Sequence, residues 1–315
     1  MLQIPKPMIN RYFIKINKYF KNQTSFGLPS NLLIEPTNIC NLKCPGCPTG
    51  CGILKRPKGY MSLDNFKKII DECEKSLEMV MLWNYGEPFL NKDLFKMIKY
   101  ARNKNIKVVT STNAHFLPGK IDDLIDSKIN KVMISLDGAT KETYEKYRQN
   151  GNFETVINSI KELCQKKPSD LFVELQFIIM RHNEHEVENI KQIAKELKVD
   201  KLSLKSAWFL DKRLQEKFKD IIPKNPKYQR VIEQSGYCIR PWYHMTIQWN
   251  GDVAPCCYDA DCSINLGNVF DDGVKKVWNG TKFKNLRHVM KKQYKGQNFI
   301  DICKKCPELS KRRIS

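Results

Sequence analysis

The sequence has no apolar run approaching the ~18 uninterrupted residues of a membrane-crossing helix, so none is expected. Its N-terminus lacks the apolar core of a secretory signal, which points to the cytoplasm. Acid is missing where base is plentiful. Residues 1–31 hold five bases (Lys6, Arg11, Lys15, Lys18, Lys21) and no Asp or Glu. Residues 281–315 hold eleven Lys and Arg against Asp301 and Glu308, so the two ends carry fourteen of the twenty net positive charges. Such ends suit a generic solvated surface or a basic face for an anionic substrate, an acidic electron donor or a lipid surface. A nucleic-acid reading is the weaker one, because a Lys-, Asn- and Ile-rich composition raises net charge by itself.

What is present is ample apolar content and many cysteines. An apolar fraction of 41% excludes wholesale disorder. The length suits one α/β unit with a small appendage. Twelve cysteines in a reducing compartment stay thiols, and thiols at short spacing usually bind metal.

From residue 32 the pattern alternates strand and helix. Strands are expected at 32–35, 79–83, 107–110, 131–136, 172–179 and 201–205. Helices are expected at 62–77, 94–104, 121–127, 143–147, 153–164 and 186–197. Six such repeats imply an α/β fold with a parallel sheet, a partial (β/α)6 TIM-like barrel whose site lies at the C-terminal strand ends. Ahead of it, residues 1–31 read as a basic amphipathic extension. Ile9, Tyr12, Phe13, Ile16 and Phe20 form a stripe expected to dock on the body, with peripheral membrane contact through residues 8–20 as the alternative. The barrel is expected over 32–206, a linker over 207–237, and a separate cysteine-rich unit over 238–315. In that unit Met245–Trp249, Asn250-Gly251 and Asp252–Ala254 read as a hairpin with a type I′ turn, and 281–292 as a helix.

Cys40-x3-Cys44-x2-Cys47 puts three soft thiolates on one loop directly after the first strand. Three thiolates can hold a cubane with its fourth iron open, or a zinc ion completed by Cys51, and spacing alone leaves both open. The stretch from Glu35 to Pro48, EPTNICNLKCPGCP, resembles the CxxxCxxC loop of the radical S-adenosylmethionine (SAM) enzymes. That resemblance implies a [4Fe–4S] cluster on Cys40, Cys44 and Cys47 whose open iron chelates SAM. An injected electron then splits SAM into methionine and a 5′-deoxyadenosyl radical, which abstracts a hydrogen from an unactivated C–H bond. Asn84-Tyr85-Gly86-Glu87-Pro88 resembles the family's GGEP segment, with Gly86 and Glu87 as SAM-amino contacts and Tyr85 in place of the first glycine. Thr112-Asn113 resembles its TNG segment, with Ala114 for Gly. Ser135 and Arg148 resemble its SAM-carboxylate contacts. Gly46 stands where the family usually has an aromatic residue near the adenine, so backbone around Ile178–Met180 is the expected substitute. Cys51 reads as a bystander, since a fourth thiolate would block the iron that SAM needs.

Cys238-x12-Gly251-x4-Cys256 and Cys303-x2-Cys306 would close an all-cysteine site, for a cluster or a structural zinc. The C-terminal third resembles the SPASM domain of radical SAM enzymes. The later cysteines of that domain are missing, with Arg312 where the next would fall. The resemblance therefore implies the shortened twitch version with one auxiliary [4Fe–4S] cluster on Cys238, Cys256, Cys303 and Cys306. Cys257 is an alternative ligand, Cys262 a weaker spare, and Cys73 and Cys164 read as core. The implied activity is oxidation of a small alcohol or sugar-like metabolite, an anionic one suiting the basic ends, with a flavodoxin- or ferredoxin-type reductase supplying the electron for SAM cleavage and the auxiliary cluster taking up the one left on the substrate radical. Tyr258, Asp259 and the loop Arg181–His185 hold candidate bases, none assigned. The alternatives are cross-linking or epimerisation of a ribosomal peptide, RNA or lipid modification, and a non-catalytic iron–sulfur or zinc protein. Only about thirty residues precede the first strand, where peptide maturases often carry a further domain.

Overall fold

In the computed structural model the described residues are 6–209, 212–229, 238–294, 300–303 and 306. Parts of the expected linker and tail therefore fall outside them. Six parallel strands build the main sheet: β1 (Asn31–Ile34), β2 (Met79–Leu82), β3 (Lys107–Thr112), β4 (Lys131–Ser135), β5 (Phe172–Ile179) and β6 (Lys201–Ser206). They lie in sequence order, each hydrogen-bonded to the next. Most of these strands are apolar on both faces, as parallel strands covered by helices must be; Leu32, Ile34, Val80, Leu82, Ile134 and Phe177 are all fully buried.

The covering helices are α2 (Leu63–Cys73), α3 (Leu94–Asn103), α4 (Ile121–Asp126), α5 (Lys141–Tyr147), α6 (Phe153–Lys166) and α7 (Val187–Glu196), preceded by α1 (Lys6–Phe20). Their starts are written in cap residues. Ser62 Oγ accepts the Asn65 N–H ahead of α2, and Asn152 Oδ1 accepts the Thr155 N–H ahead of α6. A short α8 (Lys212–Lys217) follows β6.

The C-terminal unit departs from expectation in three ways. Its first strand, β7 (His244–Ile247), is not separate: it pairs in parallel with β1, Asn31 opposite His244 and Ile34 opposite Ile247, and extends the barrel sheet. β8 (Val253–Ala254) pairs antiparallel with β7, but the turn is not type I′. Asn250 keeps a negative φ, and the turn closes by Gly251 N–H to Gln248 O (3.0 Å), with Gly251 left-handed at φ 88°. A left-handed glycine after a tight turn is the bulged three-residue solution, so the Asn-Gly pair sits one place later than the I′ pattern needs. A helix, α9 (Val269–Trp278), was not anticipated because Gly273 interrupts it with φ 76° and ψ 158°. The final helix is α10 (Thr281–Tyr294).

The fourth departure is at α1. Its aromatic stripe faces outward: Tyr12 is 69% exposed and Phe20 58%, while Asn10, Ile14 and Asn17 face the body. The side chains of Ile9 and Arg11 lie outside the described residues.

Candidate cluster and cofactor site

The C-terminal ends of the strands collect buried polar groups in an otherwise apolar barrel: Glu35, Glu87, Thr112, Asn113, Asp137 and Gln248. Burying so many uncompensated dipoles is costly unless each has a partner, and most do. Glu35, just beyond β1, is fully buried and takes Arg56 in a bidentate pair, Nη1 to Oε1 at 2.8 Å and Nη2 to Oε2 at 2.9 Å. It also accepts the Tyr85 N–H at 3.2 Å. Arg56 Nε reaches Ala260 O at 2.6 Å, and Lys55 N–H reaches Asp261 Oδ1 at 2.8 Å. One ion pair thus ties the first cysteine loop, the loop after β2 and the C-terminal unit together.

Cys40, Cys44 and Cys47 lie on the loop after β1, in an apolar jacket of Leu42, Tyr147, Met180 and Ala207. Burial pushes the Cys40 thiol up to about 12 and the Cys44 thiol up to about 11, and raises Cys47 too. Donors nevertheless aim at all three sulfurs. Leu42 N–H lies 3.4 Å from Cys40 Sγ, Arg148 Nη1 lies 3.8 Å from Cys44 Sγ, and the Thr49 and Gly50 amides donate to Cys47. Thiols that resist ionisation beside groups that welcome a thiolate are suited to a bound cation, whose charge removes their protons. Among the described residues no three Cys, His, Asp or Glu side chains converge on one metal ion. A cubane needs no such convergence, since each thiolate takes its own iron. Cys51 lies beside the same loop, its sulfur accepting the Gly46 N–H at 3.2 Å.

The remaining expected contacts are placed as follows. Gly86 has φ 110°, and a Cβ there would lie 2.5 Å from Thr37 O, so the segment after β2 packs on the backbone leading into the cysteine loop. The Glu87 carboxylate is spent within the protein. It accepts Thr112 Oγ1 and Asn113 N–H, both at 2.7 Å, and burial raises its pKa to about 7. It therefore orients the end of β3. Asn113 Nδ2 spans to Asn41 Oδ1 (2.8 Å) and toward Cys40 Sγ (3.9 Å). The Ser135 hydroxyl, at the end of β4, is half-buried. Arg148 is not a free fork, because Asp137 holds its Nε at 2.6 Å and pairs with Nη2. Asp137, fully buried just after β4, also accepts the Ile178 N–H at 2.7 Å. It was missed, although an acid just past a barrel strand's C-terminal end is a readable signal.

The backbone expected to hold adenine is also spent. Ile178 N–H goes to Asp137, while Ile178 O and Met180 N–H go to Asn183. Phe209, beyond β6, brings an aromatic ring against Gly46. Its ring lies so close over Gly46 that a Cβ on that glycine would sit 2.1 Å from Cε1. Gly46 is left-handed, φ 78°, and Phe209 is buried. No short-range sequence signal connects residues 163 positions apart.

The second group of thiols also assembles. Cys303 is raised to about 12 by burial and by Cys238 and Cys306, and Cys256 is raised by burial, then by Cys257 and Cys303. Cys306 N–H closes a turn on Cys303 O at 3.2 Å. Cys257 stands with them, acting on both Cys238 and Cys256, and its Sγ accepts Arg240 Nη1 at 3.5 Å. Cys262 lies apart, beside Asp259, and Cys73 packs in the core. Tyr85 stands between the groups: its hydroxyl donates to Cys257 O at 2.9 Å, and burial followed by the charges of Cys257 and Cys47 raises its pKa well above 10. Of the candidate bases, Asp259 is spent on Ser263 and Ile264, Arg181 on Asp220, and Glu184 on the Asn225 amide. Among the described residues, buried polar atoms without a partner include His182 Nε2, Tyr144 Oη, Thr49 Oγ1 and Gln248 Nε2. Gln248, at the end of β7, holds only Asn84 Nδ2 through its oxygen, at 3.2 Å. Sequence reading gave no hint of it.

The sequence profile of the radical SAM superfamily matches residues 34–194, and that of the SPASM iron–sulfur cluster-binding domain matches 238–307. The AdoMet-dependent heme synthase of Methanosarcina barkeri is 24% identical over 303 residues, covering 82% of this chain and 85% of its own. The mycofactocin maturase MftC of Mycobacterium ulcerans is 30% identical over 53% of this chain, which spans only 44% of that protein. Two crystal structures share the fold at 17% identity and 89% coverage of this chain. SuiB of Streptococcus suis bound to S-adenosylmethionine has a TM-score of 0.66 with 72% of its chain covered, and BtrN in complex with AdoMet and 2-DOIA has 0.55 with 93% covered.

Proposed function

The chain belongs to the radical SAM superfamily and carries a SPASM domain, and from that premise we propose that it oxidises a small substrate held between its two cysteine groups. The family's enzymes use SAM and a [4Fe–4S] cluster, and the SPASM domain adds auxiliary iron–sulfur. We assign the SAM-binding cluster to Cys40, Cys44 and Cys47, and the auxiliary one to Cys238, Cys256, Cys303 and Cys306.

Held by these cysteines, the first cluster with SAM would supply radical chemistry and the auxiliary cluster a one-electron acceptor. The protein's share is positioning, exclusion of water and proton control. Leu42, Tyr147, Met180 and Ala207 keep water from the first cluster. Arg148, held by Asp137, balances charge beside Cys44, and Phe209 covers the face that Gly46 leaves open. Gln248 Nε2 offers a buried donor to the substrate, and His182 Nε2 a buried acceptor for its hydroxyl proton.

The observation that carries the reading is Tyr85, hydrogen-bonded to Cys257 O and within electrostatic reach of Cys47. It joins the two thiol groups across one side chain and narrows the space where the family has glycine. That favours a small substrate and a short electron path. A second reading, maturation of a peptide, is favoured by relatives such as MftC, whose name describes that activity.

The test is anaerobic turnover with a panel of anionic sugars, cyclitols and short peptides, each deuterated at the candidate carbon. A small alcohol should pass deuterium to 5′-deoxyadenosine and leave as the ketone. In Cys306→Ala, SAM cleavage should persist without product. Normal turnover of that variant would defeat the role given to the auxiliary site, and deuterium transfer from peptides alone would select the second reading.

A further inference from the structure

Helix α1 is inverted in polarity. Its inward face carries Asn10 and Asn17, both buried and fully engaged. Asn10 Nδ2 donates to Ser76 O (3.0 Å), and Asn17 binds Phe26 through both Nδ2 to O (2.8 Å) and N–H to Oδ1 (3.0 Å). Its outward face carries Tyr12, 69% exposed, and Tyr19, 78% exposed, with Phe20 and Phe26 at its edge, 58% and 51% exposed. A helix that spends its amides on docking and leaves three aromatic rings in water, with Phe26 beside them, has the wrong distribution for a surface helix whose outer face meets only solvent.

The charge around these rings is of one sign. Lys15 is exposed beside them on α1, and Lys291, exposed near the end of α10, reaches Phe20 O at 3.4 Å with Lys292 beside it. Residues 1–31 contribute no carboxylate. Of the acids on this flank, Glu78 acts on Lys18, which packs over Tyr243, while Glu72 is held by the Val274 and Lys275 amides and Glu74 by Lys104. Aromatic rings at the headgroup level with lysines around them are the pattern of a helix lying in the interface of an anionic membrane. At 15 residues α1 is too short to cross one, and among the described residues no helix is long and apolar enough to do so.

We propose that this face, α1 with the end of α10, docks peripherally on an anionic lipid surface. α1 packs near Ser76 and Tyr243, at the N-terminal ends of β1 and β2. The first cysteine loop follows the C-terminal end of β1, so a docked molecule keeps that loop away from the lipid.

The test is flotation of the full-length, reconstituted protein with two kinds of vesicle: pure phosphatidylcholine, and phosphatidylcholine with about a third phosphatidylglycerol, where each basic residue near the surface is worth about five-fold in binding. The protein should float with the anionic vesicles only, and high salt should release it. Lys15→Gln and Lys291→Gln should each weaken binding about five-fold. Tyr12→Ser, Tyr19→Ser and Phe20→Ser combined should weaken it roughly ten-fold or more, because three rings leave the interface. All variants should keep the thermal midpoint and SAM cleavage of the parent. Absence of flotation, or equal flotation with neutral vesicles, overturns the proposal. So does a dimer in solution that the triple substitution splits, which would assign the face to a second copy of the chain.

Discussion

Glu35 and Arg56 form a buried bidentate pair at 2.8 and 2.9 Å, and through Arg56 Nε the pair grips Ala260 of the C-terminal unit. The end of β1, which launches the first cysteine loop, is thus tied by one contact to the C-terminal unit at Ala260. Removing one member strands a charge in a dry site, so Arg56→Met should cost about 3–5 kcal/mol and Glu35→Gln/Arg56→Met distinctly less. Thermal unfolding of the two variants checks this. A single variant no less stable than the double would show that the pair is not held in isolation from water.

Glu87 gives a pH prediction. Burial raises its pKa from 4.5 to about 7, so the folded chain holds a proton that the unfolded chain has lost between those values. Stability from this group is full below pH ~4.5, falls as pH rises toward about 7, and is flat above it. Relative to Glu87→Gln, the parent should lose thermal stability between pH 4.5 and about 7 and no more beyond. A constant difference across the range would mean that the carboxylate is ionised throughout, its hydrogen bonds from Thr112 and Asn113 outweighing burial.

Phe209 should matter to SAM although it is remote in sequence from the cysteine loop. Phe209→Ala should weaken equilibrium binding of SAM to the reconstituted protein about ten-fold, the worth of one well-packed ring. Gly46→Ala alone should impair iron loading, because its Cβ would overlap the ring. Adding Phe209→Ala should restore loading only in part, because alanine at φ 78° stays strained. Unchanged SAM affinity in Phe209→Ala would reduce the ring to a packing element.

Much of this was legible in the sequence. Strand periodicity and cap residues mark the six barrel repeats, because apolar alternation and capping are local. Cys40, Cys44 and Cys47 are local as well, and so is the Cys303–Cys306 pair. What escaped is long-range. That β7 would join β1 depends on an unpaired sheet edge, which no window of sequence contains. Phe209 over Gly46 and Asp137 on Arg148 are contacts between different strand ends. The amphipathic stripe of α1 was visible, but its direction was not, because periodicity shows that a helix has two faces without showing which one meets the protein.

Gln248 Nε2 is buried and unpartnered among the described residues, which is costly without a ligand. Gln248→Leu should lower turnover at limiting substrate roughly ten-fold while leaving uncoupled SAM cleavage intact. Equal loss of both activities would place the residue in the scaffold instead.

The most direct test of the two-site account is the iron content of anaerobically reconstituted protein, measured together with 5′-deoxyadenosine formed from SAM and dithionite. Two [4Fe–4S] clusters predict about eight irons per chain, with Cys44→Ala and Cys306→Ala each falling to about four. Only Cys44→Ala should lose SAM cleavage. Four irons in the parent chain, or bound zinc without SAM cleavage, would contradict the account.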